Sequence, residues 1–346
     1  MMTNKETMKA VGLYKYLNIE HPDSLIDMEL EKPVPTGRDI LVRVKAISVN
    51  PVDTKVRAPK DKTEDSPKIL GWDVAGVVEQ TGPECTLFQP GDEVYYAGSI
   101  TRPGGNSEFH LVDERIAGSK PASLDFAQAA ALPLTAITAW EGLFDRMGVS
   151  RNKDANAGKS ILIIGAAGGV GSIAVQLAKY AGLTVIGTAS RPESAEWVKE
   201  LGADYIIDHF QPFTAQLKDI GLPEADYIFC LNSTEQHWEN MGEAVAPQGK
   251  ICSIVETKES LNLNVLKNKS AAFMWEFMFT RAMFQTADMI EQHKLLNELA
   301  QLIDAGIIRT TLTERMEPIN AANLKKAHAT IEAGRTVGKV VLEHFQ

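Results

Sequence analysis

The chain has 346 residues, 44% hydrophobic and 23% charged, with a formal net charge of −10 and a pI near 5.3. That length predicts two domains rather than one small core, and the composition excludes a disordered chain. The acidic balance opposes nucleic acid or anionic lipid as a partner. No run of about 18 apolar residues offers a membrane span, and the opening "MMTNKETMKA" carries no leader pattern, so the expected location is cytoplasmic.

Up to about residue 130 the chain reads as short extended runs, "DILVRVKAISVN", "DVAGVVEQTG", "GDEVYYAG" and "SEFHLVD", separated by Pro and Gly. Strands so spaced predict a barrel or a sandwich. The Ala-rich stretch "DFAQAAALPLTAITAWEGLF" is helical in spacing, is interrupted by Pro133, and marks a domain junction. "RNKDANAGKS" reads as an exposed polar connection onto the first strand of a new sheet. Strand-like and helical runs then alternate through "SILIIG", "GSIAVQLAKYAG", "LTVIGTAS", "ESAEWVKELGA", "DYIID", "ADYIFCLN" and "GKICSIV". Such alternation predicts a doubly wound parallel sheet with helices on both faces.

After Leu263 a Met- and Phe-rich segment contains "FMWEFMFTRAMF", in which burial of Glu276 and Arg281 would require their pairing. The closing "GRTVGKVVLEHFQ" reads as a strand pair. Cys85, Cys230 and Cys252 lack paired spacing, and the seven histidines show no HExxH-like pattern, so no metal ligand set is read from them.

"ILIIGAAGGVGSIAVQLAKYAG" sets a strand, a glycine turn and an amphipathic helix in succession, the context that a dinucleotide fingerprint requires. Ala166, Gly168 and Gly171 hold the three turn positions, with Gly169 and Val170 in the same turn. Small residues there let the backbone approach a pyrophosphate at the start of a helix. About 20 residues on, where an NAD site offers an acid to the ribose, the chain has Ser190 and Arg191 instead. These two can bond a 2′-phosphate, which predicts NADPH as the cofactor. Asn232, following "ADYIFCLN", is expected at the ligand-binding carboxyl edge of the sheet.

Together with "AISVNPVDTKVRA", "PKILGWDVAGVVEQTG", "FQPGDEVYYAG" and "AAALPLTAITAWEGLF", this fingerprint resembles the medium-chain dehydrogenase/reductase superfamily, and within it the quinone oxidoreductase branch close to zinc-type alcohol dehydrogenase-like proteins. The resemblance covers nearly the whole chain. It implies an α/β protein with a GroES-like β-barrel catalytic domain over residues 1–134, a Rossmann doubly wound parallel-sheet domain over 135–285, and a return to the first domain over 286–346. It also implies that Thr138 approaches the cofactor and that Asn50 belongs to the active site, its amide able to bond a substrate carbonyl or the nicotinamide ribose. Asp53 either takes part there or closes a turn and holds the loop.

Zinc-dependent members of the resembled family carry Gly-His-Glu where this chain has Gly71, Trp72 and Asp73, and a Cys ligand at the position of Asn50. Both ligands are replaced, so no zinc is expected. Trp72 either fills space or walls the site, and the two readings are compatible. Asp73 is preferred as a turn residue, the alternative being a group that orients Asn50 or a water. The whole predicts a zinc-independent NADPH-dependent reductase of quinones or α,β-unsaturated carbonyls, working as a homodimer. The rival readings are a zinc-dependent alcohol dehydrogenase and an NADPH-binding sensor with little catalysis.

Overall fold

The computed structural model describes residues 6–345. The first strands are β1 (Thr7–Tyr16), β2 (Ile26–Glu31) and β3 (Asp39–Ser48), after which helix α1 (Pro51–Arg57) leads into β4 (Lys60–Ile69). β5 (Val74–Thr81), β6 (Glu93–Tyr96), β7 (Phe109–Asp113) and β8 (Ala117–Ser119) follow, then helices α2 (Phe126–Ala130) and α3 (Pro133–Trp140). The alternating segment is β9 (Ser160–Ile164), α4 (Gly169–Tyr180), β10 (Thr184–Thr188), α5 (Pro192–Glu200), β11 (Tyr205–Ile207), α6 (Phe213–Asp219), β12 (Ala225–Cys230), α7 (Thr234–Ala244) and β13 (Val245–Ser253). The chain ends with α8 (Asn264–Lys267), β14 (Ala272–Trp275), α9 (Thr280–Phe284), α10 (Glu291–Asp304), β15 (Leu312–Met316), α11 (Ala321–Glu332) and β16 (Lys339–Glu343).

Among the described residues two compact units result, one from residues 6–134 and 279–345, the other from Thr135–Met278. The second divide falls after Met278, where the sequence places it after residue 285. Phe279 belongs to the first unit because its ring packs edge-on against Trp72, 6.1 Å between centroids.

The first unit holds a seven-stranded sheet in the order β15-β16-β3-β5-β6-β8, with β7 also on β3, and a three-stranded sheet β2-β1-β4. β3 shares one side between two partners: Asp39–Arg43 pair with β7, and Ala46–Ser48 pair with β16. The C-terminal stretch is therefore not a local strand pair. It supplies the single strand β16, whose parallel partner β15 lies upstream across α11. β4 carries no sequence signature, because "KDKTEDSPKI" is largely exposed and pairs with β1 alone, so no apolar alternation marks it. α10 carries its buried Leu295, Leu296, Leu299, Leu302 and Ile303 on one stripe. Each such side chain contributes roughly 1.5–3 kcal/mol on burial.

The second unit is one six-stranded parallel sheet, ordered β11-β10-β9-β12-β13-β14. Its centre is β9, "SILII", buried at every residue, as expected of a strand covered on both faces. The order reverses between β9 and β12, and the crevice outside the carboxyl ends of these two strands is where such sheets take ligands. The polar stretch before β9 is less a loose linker than a tied connection. Asn156, 1% exposed, donates to the carbonyls of Ser150 at 2.6 Å and Ala181 at 2.8 Å.

"FMWEFMFTRAMF" contributes the edge strand β14 and helix α9. Glu276 and Arg281 are both buried, yet they do not pair with each other. Arg146 donates to Glu276 at 2.8 Å, and Arg281 donates to Asp288 at 3.0 Å. Among the described residues no helix is long and apolar enough to cross a membrane.

Candidate active site

The glycine turn and its neighbours lie within the second unit. Gly165 leaves β9 with φ +84°, and its N–H donates to the hydroxyl of Thr188 at 3.0 Å, which ties the turn to the end of β10. Gly171 must be small: a Cβ there would come within 2.4 Å of the Gly165 carbonyl oxygen and 2.6 Å of the Ala166 backbone. Gly168 differs, since a Cβ would meet only the Gly165 oxygen, at 3.5 Å. Gly171 thus serves packing of the helix against the strand, while Gly168 forms a cradle open to a ligand. As the first turn of α4, Gly169, Val170 and Gly171 present N–H groups with no carbonyl a turn earlier to accept them, so the dinucleotide pyrophosphate fits here.

The register places the other nucleotide candidates on the same edge. β10 runs parallel to β9, with Gly187 opposite Ile163, so exposed Ser190 and Arg191 follow the strand end beside the glycine turn. Arg191 precedes Pro192 and caps α5, where its backbone N–H donates to Ser194 Oγ at 3.3 Å. Asn232 follows β12 on the opposite flank, its Cβ 3.5 Å from where a Gly165 Cβ would stand. Ala166 is fully buried under the turn. Thr138 is buried on α3 and is not on this strand edge.

The second cluster belongs to the first unit. Asn50, before Pro51, caps α1 in an extended conformation, and the Asp53 carboxylate reaches back to accept its N–H at 2.8 Å. The other Asp53 oxygen accepts from Gly71 N–H at 3.0 Å, so Asp53 clamps the Asn50 and Trp72 loops together. Burial pushes the Asp53 carboxyl up to about 7, against the pull of the Asn50 N–H, Lys339 and the Gly71 N–H. Gly71 has φ +104°, and a Cβ there would strike Asn106 at 2.2 Å, which explains the glycine before the tryptophan. Trp72 is fully buried, and its indole N–H donates to the Ser99 carbonyl at 3.2 Å.

Asn50 and Asp73 meet at 2.8 Å, the amide donating to Asp73 Oδ2. Asp73 Oδ1 accepts from Leu134 N–H at 2.7 Å. Asp73 thus serves Asn50 rather than its own turn, the reverse of the sequence preference, because its partners are remote in the chain. The third member escapes sequence reasoning. Lys339, opening β16, donates to Asp73 Oδ2 at 3.0 Å, to Asn50 Oδ1 at 2.5 Å and to the Val49 carbonyl at 3.0 Å. Its only sequence signal is a lysine heading the apolar run "GKVVLE". Both ends of the Asn50 amide are consequently engaged inside the unit, and Asn50 is 1% exposed.

These donors offer zinc neither thiolate nor imidazole. An indole N–H has no lone pair to give, and the Asn50 oxygen already accepts from an ammonium. Among the described residues no three His, Cys, Asp or Glu side chains gather in a way that could hold a metal ion.

Residues 36–128 match the alcohol dehydrogenase GroES-like domain family, and residues 201–342 match the zinc-binding dehydrogenase family. With the parallel sheet and its glycine turn, this defines an oxidoreductase of the nicotinamide-cofactor class. The chain belongs to the medium-chain dehydrogenase/reductase superfamily, in its quinone oxidoreductase branch. It is 44% identical to a zinc-type alcohol dehydrogenase-like protein of Staphylococcus aureus (strain Mu50), over 97% of this chain and 99% of that one. A Rhizobium etli CFN 42 structure, provisionally described as a zinc-dependent alcohol dehydrogenase, superposes with a TM-score of 0.94 at 53% identity, covering 99% of each chain. The quinone oxidoreductase of Pseudomonas syringae superposes with a TM-score of 0.81 at 28% identity, over 97% of this chain and 99% of that one.

Proposed function

We propose that the protein is a zinc-independent, NADPH-dependent reductase of quinones or α,β-unsaturated carbonyls, acting in the cytoplasm as a homodimer. The observation that carries the cofactor choice is the end of β10, where Ser190 and Arg191 stand beside the glycine turn and no carboxylate closes the strand. A guanidinium there bonds a 2′-phosphate with charge assistance, whereas an acid would repel it. Zinc independence is supported by the donor set at Asn50 and Trp72, and the resemblance to a quinone oxidoreductase supports the acceptor class.

The cofactor supplies the hydride, and the chain's residues bind, orient and exclude water. Gly168 and the first turn of α4 seat the pyrophosphate, while Ser190, Arg191 and Asn232 fix the adenosine half. Trp72, fully buried with its ring edge-on to Phe279, backs the Asn50 cluster from within. Asn50, held in one orientation by Asp73 and Lys339, is the polar group assigned to the reacting side, through the second amide proton, whose contact with the Trp72 carbonyl is 3.5 Å. The dimer reading rests on β14, a sheet edge paired on one side with β13 and carrying Trp275 at 46% exposure, with Phe277 at 44% just beyond it.

The test is NADPH oxidation with a panel of quinones and enones, before and after chelation, with elemental analysis of the purified protein. Turnover that survives the chelator, with far less than one zinc per chain, is the expected result. Zinc at one per chain whose removal abolishes turnover would sink the proposal.

A further inference from the structure

A buried ammonium needs acceptors for three protons and a compensating charge. Lys339, its side chain 4% exposed, has both: the Val49 carbonyl, the Asn50 amide oxygen and the Asp73 carboxylate, itself 0% exposed. The two side-chain oxygens in that set are the ones an incoming cation would use. Asp73 completes its shell with the Leu134 N–H and the Asn50 amide, so the cluster closes on the lysine. A divalent ion admitted to the same oxygens would stand a few ångströms from a fixed positive charge.

We propose that Lys339 is the resident cation of this site: its ammonium balances Asp73 and orients Asn50 in place of a metal ion, and it bars a divalent metal from the pocket. The proposal rests on the zinc-independent reading above and extends it, because it names the group that does the work and makes Lys339 a positioning residue for Asn50. It implies that removing the lysine charge creates an appetite for a cation. A tie that merely held β16 to β3 would not do so.

The experiment uses the full chain with Lys339→Met and with the pair Asp73→Asn/Lys339→Met, and Co(II) as the probe. The readouts are thermal unfolding, NADPH binding by fluorescence titration, and turnover. The native protein should not be stabilised by Co(II). Lys339→Met leaves a buried carboxylate unpaired and should lower Tm by roughly 10 °C, part of which Co(II) restores. The double variant should regain most of the loss and ignore Co(II). Both variants should lose about tenfold in kcat with NADPH affinity held within about twofold, because Asn50 is no longer oriented. If Lys339→Met folds only with Co(II) present while the double variant folds without it, the conclusion is the same.

A double variant no more stable than the single one would overturn the proposal. So would Co(II) stabilisation of the native protein equal to that of Lys339→Met, or full kcat without the lysine. Stoichiometric zinc in the native protein would defeat the zinc-independent reading itself. A zinc-free native protein whose Lys339→Met form behaves like the native one would defeat only the role given to Lys339.

Discussion

Asp73 and Lys339 form a 3.0 Å ion pair across 266 positions of sequence, with Asn50 bonded to both. β16 carries the lysine to the carboxylate because it pairs with the Ala46–Ser48 end of β3, two residues before Asn50. The polar centre of the first unit is therefore assembled by sheet register.

The adenosine end of the cofactor can be tested separately. Arg191→Ala removes one charge-assisted contact, about 1.5–3 kcal/mol, and should weaken NADPH roughly ten- to a hundredfold while leaving NADH nearly unchanged. Fluorescence titration with both cofactors checks it. Equal affinity of the native protein for the two would contradict the assignment.

Two glycines of one turn should fail in different ways. Gly168→Val points a branched side chain into the cradle and should abolish binding of NADPH and NADH alike in a folded protein, since a Cβ there meets only the Gly165 oxygen at 3.5 Å. Gly171→Ala forces a contact of 2.4 Å with that same oxygen and should cost about 1–3 kcal/mol in stability. Calorimetry beside cofactor titration separates the two effects.

The buried carboxyl of Glu276, beside Glu141, sets an alkaline liability. Burial, with Glu141 beside it, raises Glu276 to about 9, although Arg146 pulls the other way. Between the ordinary glutamate value near 4.3 and that value, the folded chain binds more protons than the unfolded one, so stability is full at acid pH and falls as pH rises. Glu276→Gln should flatten the pH profile of Tm and raise Tm at pH 9 by about 3 °C or more. A variant profile parallel to the native one would exclude this origin.

The edge strand β14 makes a prediction about assembly. Trp275→Glu puts a charge on the exposed apolar edge and should raise the dimer dissociation constant by about tenfold or more. Light scattering over a dilution series reads it directly. A native protein that is monomeric at every concentration would remove the premise.

Local chemistry by itself determines much of this molecule. The "SILII" run, the glycine turn and the helix after it follow from apolar continuity and from the need for small residues at a tight strand-to-helix turn. Asp53, three residues after Asn50 and bonded to its N–H, is likewise a feature of a short segment, whereas Gly71 owes its place to the remote Asn106. β4 is not legible in the sequence, because its side chains are mostly exposed and only pairing with β1 makes it a strand. Nor does the sequence show that Glu276 pairs with Arg146 rather than Arg281, or that Asp73 answers to Lys339. Those choices rest on which distant strand lies alongside which, and a buried polar or charged group takes as its partner the complementary group that the packing brings within reach.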